Sequence, residues 1–295
     1  NKIRLNELKP GVKYYYRVCA QEILKNEAYH KILGNKVSTP FYSFTLPSPD
    51  TEKFTMVVLN DLHEQDKVMN KLFNVVKSKG IDYDFSVFNG DCVPEPRDRA
   101  HAIRRVNALT AAANAAEKPT IIIRGNHEIR NSYSAGMLSL TQNLGGKTYG
   151  AFSWGDTRFV ILDCGEDKKD STPVYYGLND FSQLRQDQAI FLAKELKEKE
   201  FKRAERRILI QHIPIWGDSN VYTDGYHPWT RLWNPELQDA DFDMDITAHA
   251  HRYYVLEKNV KGNPCPVIAG GGPEEKGATI MVLQKDGKEL RMRVF

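Results

Sequence analysis

Short apolar runs, each ending in a polar turn, recur along most of the chain. The runs occupy residues 56–59, 85–88, 121–123, 208–210 and 244–247. Runs of this length are typical of strands that are buried on both faces, as in the sheets of α/β proteins. Between them, apolar residues recur at helical spacing, as at Val68, Leu72 and Val76, and predict helices that cover a sheet. The pattern therefore predicts an α/β fold.

Residues that can bind metal follow each of these predicted strands. The blocks are Asp61-Leu62-His63, Gly90-Asp91, Gly125-Asn126-His127-Glu128, Gln211-His212 and His249-Ala250-His251. In open α/β sheets, ligands bind beyond the carboxyl ends of the strands, so we expect these side chains to meet at one rim. A lone histidine or a Gly-Asp turn is most often structural. The ordered set, with each block after its own strand, predicts a metal site.

The types of side chain indicate which metals and which chemistry. Carboxylate and amide oxygens together with imidazole nitrogens suit Mn, Fe or Zn, and suit Mg or Ca poorly. Asp91 can bridge two ions, and a hydroxide held between two ions is a nucleophile at neutral pH. The expected reaction is hydrolysis of a phosphate ester.

The ordered blocks resemble the calcineurin-like metallophosphoesterases over residues 54–295. The resemblance implies a four-layer αββα sandwich. The apolar runs at 253–256, 264–269, 279–283 and 290–295 are then expected to form its second sheet. The chain has Ala248 where that family has glycine before the last two histidines, but both histidines are present.

The same resemblance implies roles for the residues of the blocks. One ion would be held by Asp61, His63, Asp91 and His251, and the other by Asp91, Asn126, His212 and His249. His127 would stay off both ions and act as general acid or stabilise the transition state. Glu128 would orient His127.

The opening segment has a different pattern from the rest of the chain. Tyr14, Tyr16 and Val18 alternate with polar positions after Pro10-Gly11, and a second alternating run at Tyr42, Phe44 and Leu46 precedes a proline-rich linker. This resembles part of a fibronectin type III-like sandwich, which needs more strands than two. We therefore expect a partial β-sandwich segment and linker at 1–49, with its first half missing, and a catalytic domain at 50–295. An extra hairpin of the catalytic domain is the alternative.

A sandwich before a metallophosphoesterase domain resembles purple acid phosphatases. Those enzymes bind ferric iron through a tyrosine three positions after the Gly-Asp aspartate, where this chain has Pro94, and they have glycine where this chain has His63. The resemblance thus implies divalent ions without the ferric-tyrosinate colour. This architecture also suggests an exported protein, periplasmic or extracellular, although no signal peptide opens the sequence.

Composition narrows the choice of partners. A net charge of +3 over 295 residues is weak for a dedicated nucleic-acid binder. No apolar run approaches the roughly 18 residues of a membrane span. The four cysteines have no paired spacing. Cys92 follows Asp91, but the expected set of metal ligands is full without it.

The expected substrate is a small-molecule phosphate ester, and whether it is a monoester or a diester stays open. Trp216 and His227, in the aromatic stretch before His249, are candidate substrate contacts, and Arg130 is a candidate phosphate clamp. A core-covering role for the aromatics is equally open. Two other functions remain in view: a non-catalytic binding or adhesion protein with a vestigial metal site, and a metal-dependent nuclease.

Overall fold

A computed structural model describes residues 3–141, 144–217 and 228–295. In chain order, its strands are β1 (Lys13–Tyr16), β2 (Cys19–Asn26), β3 (Lys31–Ser38), β4 (Tyr42–Thr45), β5 (Lys53–Leu59), β6 (Phe85–Asn89), β7 (Thr120–Ile123), β8 (Gly150–Trp154), β9 (Thr157–Leu162), β10 (Arg206–Gln211), β11 (Met244–Thr247), β12 (Tyr254–Leu256), β13 (Val267–Ala269), β14 (Met281–Asp286) and β15 (Glu289–Val294). The α-helices are α1 (Asp66–Ser78), α2 (Arg99–Ala112), α3 (Ser182–Glu195), α4 (Lys199–Arg203) and α5 (Pro228–Gln238).

Two mixed sheets carry the fold of residues after 52. A five-stranded sheet has the order β15-β14-β5-β6-β7, and a six-stranded sheet has the order β12-β13-β11-β10-β9-β8. The strands that precede the metal-binding blocks are parallel to their neighbours: β5, β6 and β7 in the first sheet, and β10 and β11 in the second. Their carboxyl ends therefore lie at one edge of each sheet.

The alternation of side chains along each strand explains why both faces of the sheets are buried. Phe54, Met56 and Val58 of β5 belong to a cluster that also contains Phe159, Ile161, Ile208 and Ile210, so these side chains fill the space between the two sheets. The intervening residues Val57 and Leu59 pack with helices α1 and α2 on the other face. Strand pleating makes this division, because successive side chains point to opposite faces.

Helices cover the outer face of each sheet. Val68, Leu72 and Val76 of α1 pack on the five-stranded sheet, as the sequence predicted. Leu192 of α3 and Trp233 of α5 pack on the six-stranded sheet. The predicted four-layer αββα sandwich is confirmed. One detail of the prediction is wrong: β14 and β15 join the five-stranded sheet beside β5, and only β12 and β13 extend the other sheet.

The N-terminal segment is also β-structure. β1 and β4 pair antiparallel, with Tyr14 opposite Phe44 and Tyr16 opposite Tyr42, so the two alternating runs predicted as strands are confirmed. β2 and β3 form a second antiparallel pair that the sequence pattern did not predict. The Tyr16 hydroxyl donates to the Ala116 carbonyl at 2.5 Å and joins the segment to the main body.

Among the described residues, no helix combines the length and the hydropathy that crossing a bilayer requires.

Candidate metal centre

Five strand ends bring the predicted ligands together. Asp61 and His63 follow β5, Asp91 follows β6, and Asn126 follows β7 in the five-stranded sheet; His212 follows β10, and His249 and His251 follow β11 in the six-stranded sheet. The site therefore lies where the carboxyl edges of the two sheets meet. This position is the one expected for ligand binding in open α/β sheets.

The backbone at the site is unusual. Positive φ angles occur at non-glycine residues on three of the turns, at Asp61 (47°), His63 (41°), Asp91 (52°), His249 (66°) and His251 (53°). Each such conformation costs of order 1–3 kcal/mol and persists only where the surrounding structure enforces it. Strain of this kind clusters at functional sites, and here all five residues belong to the groups of candidate ligands.

The first group of candidate ligands consists of Asp61, His63, Asp91 and His251, whose ligand atoms lie within 4.8 Å of one another. His251 Nε2 lies 3.2 Å from Asp61 Oδ1 and 3.2 Å from His63 Nε2. His63 Nε2 lies 3.7 Å from Asp91 Oδ2. The other oxygen of Asp61 accepts hydrogen bonds from Asn60 Nδ2 (2.7 Å) and the His249 backbone N–H (2.9 Å), which fixes the carboxylate.

The second group consists of Asp91, His212 and His249, so Asp91 belongs to both groups. His212 Nε2 lies 3.2 Å from Asp91 Oδ2. Asn126 Oδ1 lies 3.0 Å from His249 Nδ1 and adds an amide oxygen to this group. Asp91 can therefore bridge two ions.

Buried polar atoms without a hydrogen-bond partner indicate that these residues fit metal ions. Asp61 Oδ1, Asp91 Oδ2 and His212 Nε2 are buried and have no hydrogen-bond partner among the described residues. Buried polar atoms almost always have a partner, and these three converge on the same space. Carboxylate, amide and imidazole donors at such distances suit Mn, Fe or Zn.

Electrostatics favour positive charge in this space. Burial opposes protonation of His212, but the carboxylates of Asp91 and Asp61 raise its pKa to about 10. Burial opposes ionisation of Asp91 in turn, and the charge of His212 still holds the pKa of this carboxyl well below its usual range. Burial, reinforced by the charge of His212, lowers the pKa of His249 to about 4.

Two glycines are required by close approach. A Cβ at Gly90, where φ is +84°, would lie 2.2 Å from His212 Nδ1. A Cβ at Gly125 would lie 2.4 Å from Asp91 Oδ1. By contrast, Ala248 is buried with its methyl group accommodated, so the departure from glycine at that position leaves the turn intact.

Glu128 has contacts different from those expected. Its buried carboxylate accepts hydrogen bonds from the backbone N–H groups of Asp91 (2.9 Å), Cys92 (2.7 Å), Val93 (2.7 Å) and Gly125 (2.8 Å). The expectation that it orients the His127 ring is therefore corrected. Glu128 instead fixes the turn that carries Asp91.

His127 lies beside both groups. Its backbone N–H donates to Asp91 Oδ1 at 2.8 Å, and its Nε2 lies 3.9 Å from Asp91 Oδ2. Its ring contacts the ring of His63 edge-on, with centroids 4.7 Å apart. Burial, opposed by the charge of Asp91, lowers the pKa of His127. Arg130 lies against this ring, with Nη1 3.0 Å from His127 Nε2.

The structure describes the surroundings of one of the two aromatic-stretch candidates for substrate contact. Trp216 is buried and donates from Nε1 to Asn234 Oδ1 at 3.0 Å within the core beneath α5, so a stacking role on substrate is corrected to a core role. His227 lies outside the described residues.

Cys92 is buried with Sγ directed at the Gly90 carbonyl, and burial raises the pKa of its thiol well above the ordinary value, which disfavours a ligand role.

Sequence reasoning missed several supporting residues. The Asn89 carbonyl lies 2.8 Å from His212 Nδ1 and accepts a hydrogen bond from it, which leaves Nε2 directed at the site. Asn60 ties Asp61 to the Gly271 carbonyl. Glu166 and Asp167 approach from the loop after β9. Asn60 and Asn89 directly precede metal-binding blocks, so their positions in the sequence could have indicated a role at the site. No comparable sequence pattern marks Glu166 and Asp167.

Fold and site together define a class of protein: an αββα sandwich with clustered carboxylates and imidazoles at the shared edge of its sheets. Residues 54–253 match the family model described as calcineurin-like phosphoesterase, and the chain belongs to that family. The prediction of a calcineurin-like metallophosphoesterase is thereby confirmed.

Similar proteins include phosphatases from several organisms. The chain is 25% identical over 175 residues to the serine/threonine-protein phosphatase CPPED1 of Rattus norvegicus, covering 57% of this chain and 53% of the relative, so it spans about half that relative's length. The structure of the purple acid phosphatase PPD1 of yellow lupin (Lupinus luteus) matches with a TM-score of 0.62 and 15% identity. The match covers 98% of this chain and 58% of the lupin chain. The structure of a dimetal phosphatase of Danio rerio matches with a TM-score of 0.57 and 14% identity. The match covers 82% of this chain and 95% of the Danio rerio chain. These two structures share the fold, and the lupin match includes the N-terminal strands.

Proposed function

We propose that the chain hydrolyses a phosphate ester with the help of two divalent ions, Mn, Fe or Zn. Asp61, His63, Asp91 and His251 would hold one ion, and Asp91, Asn126, His212 and His249 the other. Two ions in such a site supply a nucleophile from water and positive charge for the oxygens of the phosphoryl group.

One observation carries this proposal: Asp91 belongs to both groups of ligand atoms, and its buried Oδ2 has no hydrogen-bond partner in the described ranges. A carboxylate buried in that way is costly unless a cation compensates it. Every expected ligand position holds a residue that can coordinate, which favours an enzyme over a binding protein with a vestigial site.

The remaining residues have roles that follow from their contacts. Glu128 fixes the Asp91 turn through backbone hydrogen bonds. His127 lies 3.9 Å from Asp91 Oδ2 with a quarter of its side chain exposed, so a bound ester can reach its ring. We assign His127 as the general acid that protonates the departing oxygen. General acid catalysis contributes about 10²–10⁴-fold to such reactions.

The ester itself is open between a monoester and a diester. The name of the rat relative makes phosphoserine and phosphothreonine in proteins a class to include. The test is an assay of the metal-loaded protein against p-nitrophenyl phosphate, bis(p-nitrophenyl) phosphate, nucleotides and a phosphopeptide. We expect turnover of at least one class and its loss on chelation. A protein that binds two ions and hydrolyses none of these esters would contradict the proposal.

A further inference from the structure

Two acidic residues outside all of the sequence motifs lie behind the metal centre. Glu166 and Asp167 are on the loop after β9, and both are buried. Arg185 holds this loop by donating to the carbonyls of Cys164 (3.1 Å) and Glu166 (3.0 Å). Gly165 makes the close turn before the pair, with φ at +75° and Phe181 packed against it.

Glu166 faces the general acid through Arg130. The guanidinium donates from Nε to Oε2 and from Nη2 to Oε1, each at 3.0 Å, which is a bidentate pair. Such a pair fixes the plane of the guanidinium. The remaining nitrogen, Nη1, then lies 3.0 Å from His127 Nε2 and 3.3 Å from Nδ1. Glu166 therefore fixes the position of the Arg130 guanidinium, and the guanidinium restricts rotation of the His127 ring.

Asp167 faces a ligand of the second group. Its Oδ2 lies 3.7 Å from His249 Nε2, an electrostatic contact longer than a hydrogen bond. The other ring nitrogen, Nδ1, lies 3.0 Å from Asn126 Oδ1, so it faces the second group of candidate ligands. His249 would thus coordinate through Nδ1 and present Nε2–H to Asp167. A carboxylate behind a ligating histidine fixes its tautomer and orientation.

We propose that Glu166 and Asp167 are positioning residues with separate tasks. Glu166 acts through Arg130 on the His127 ring, and Asp167 acts on His249 and the ion that it holds. This rests on the proposed two-ion function. It also changes the role of Arg130, from a free clamp on the substrate phosphate to a support of the general acid.

The first test uses Glu166→Gln and Arg130→Lys, with Glu200→Gln on the exposed surface as control. We expect Glu166→Gln to bind both Mn²⁺ ions as the unchanged protein does, and to lose about tenfold in turnover on an alkyl phosphate with a much smaller loss on a nitrophenyl ester. Arg130→Lys leaves Glu166 beside a cation and avoids an unpaired buried carboxylate, but it cannot form the bidentate pair. It should give the same dependence on the leaving group even if Glu166→Gln does not fold.

The second test uses Asp167→Asn, with the exposed Asp239→Asn as control, and measures Mn²⁺ binding by calorimetry. We expect the affinity of one ion to fall about 10–100-fold, the scale seen when such supporting partners are removed, while the other ion binds normally. Turnover should recover at saturating Mn²⁺.

Other outcomes are equally decisive. Equal losses on both esters in the Glu166 and Arg130 variants, or unchanged binding of both ions by Asp167→Asn, would overturn the proposal. Failure of the proposed function looks different: the unchanged protein would then bind two ions without hydrolysing any ester, and the calorimetric comparison would still be readable.

Discussion

Asp91 is the residue that both halves of the candidate metal centre share. Its Oδ2 lies 3.2 Å from His212 Nε2 and 3.7 Å from His63 Nε2, so it contacts one histidine of each group. Its Oδ1 is held by the His127 backbone N–H. An amide at this position keeps the shape of the side chain and loses the charge that would compensate two ions.

We therefore predict that Asp91→Asn lowers metal content more than any change of a ligand that serves one ion, and abolishes turnover. Metal analysis of the purified variant beside His251→Ala, which alters the first group alone, makes the comparison. If Asp91→Asn retained two ions and near-normal turnover, Asp91 would not be the bridge.

His127 separates metal binding from chemistry. Its contacts place it beside the ligands without including it in either group. We predict that His127→Ala keeps both ions and loses about 10²–10⁴-fold in turnover on esters of poor leaving groups. The loss should shrink for a nitrophenolate, which leaves with little protonation. Equal losses on the two kinds of ester would assign His127 to stabilising phosphoryl charge instead.

Asp245, on β11, is a buried carboxyl away from the ligands. Burial, opposed by a hydrogen bond from Gln211, raises its pKa to about 8. The ordinary value in an unfolded chain is about 3.9. Between these two pH values, Asp245 keeps its proton in the folded protein, whereas the unfolded chain has released it. The contribution of Asp245 to the free energy of unfolding therefore falls as pH rises, by roughly 1 kcal/mol per pH unit.

We predict that Asp245→Asn, which cannot ionise, becomes more stable relative to the unchanged protein as pH rises from 5 to 8. Urea unfolding at each pH measures the difference, with the exposed Asp239→Asn as a control for charge removal. A difference that stays constant over this range would show that Asp245 is ionised in the folded protein.

Residues of the site were predictable to different degrees. Asp61, Asp91 and His212 could be singled out as candidate ligands because each follows a strand whose apolar run is visible in the sequence. The support from Glu166 and Arg130 was not predictable, because these residues are 36 positions apart and meet only through the packing of the two sheets. The role of Glu128 was misjudged for a related reason: its partners are backbone amides of another turn, which no side-chain pattern reveals.

At the scale of elements, burial decided what could be predicted. β5, β6 and β10 are buried on both faces for most of their length, so each contains a mostly apolar run that is visible in the sequence. β2 is almost wholly exposed and has no such signal. Helix α2 was harder to predict, because its buried face includes His101 and Arg105, which pair with Glu64 and Asp66. The sheet to which β14 belongs depends on its pairing with β5, more than 200 residues earlier, and local pattern does not encode that pairing.

The N-terminal strands are the element whose removal tests the division at residue 49. They contact the main body through the Tyr16 hydroxyl and the Ala116 carbonyl, away from the candidate ligands. We predict that removing residues 1–49 lowers the melting temperature by about 2–4 °C for each kcal/mol of lost contact, while two ions still bind. Calorimetry and metal analysis of the truncated protein measure both quantities. Loss of the ions would mean that the segment belongs to the catalytic domain.

At the scale of the whole molecule, the candidate metal centre draws its residues from both sheets. Asp61, His63, Asp91 and Asn126 come from the five-stranded sheet, and His212, His249 and His251 come from the six-stranded sheet. The ligands have their geometry only when the sheets are packed through the apolar layer around Met56, Phe159 and Ile210. Under the proposed function, ions that bind the folded chain preferentially would also stabilise it, so metal binding and folding would be coupled.

The most direct test is a titration of the metal-depleted protein with Mn²⁺, in which bound ions per chain and turnover of a nitrophenyl ester are measured on the same samples. The account predicts that turnover is absent in the depleted protein and rises with occupancy to a plateau at two ions per chain. Full turnover at one ion or none, or a plateau in binding below two ions, would contradict it.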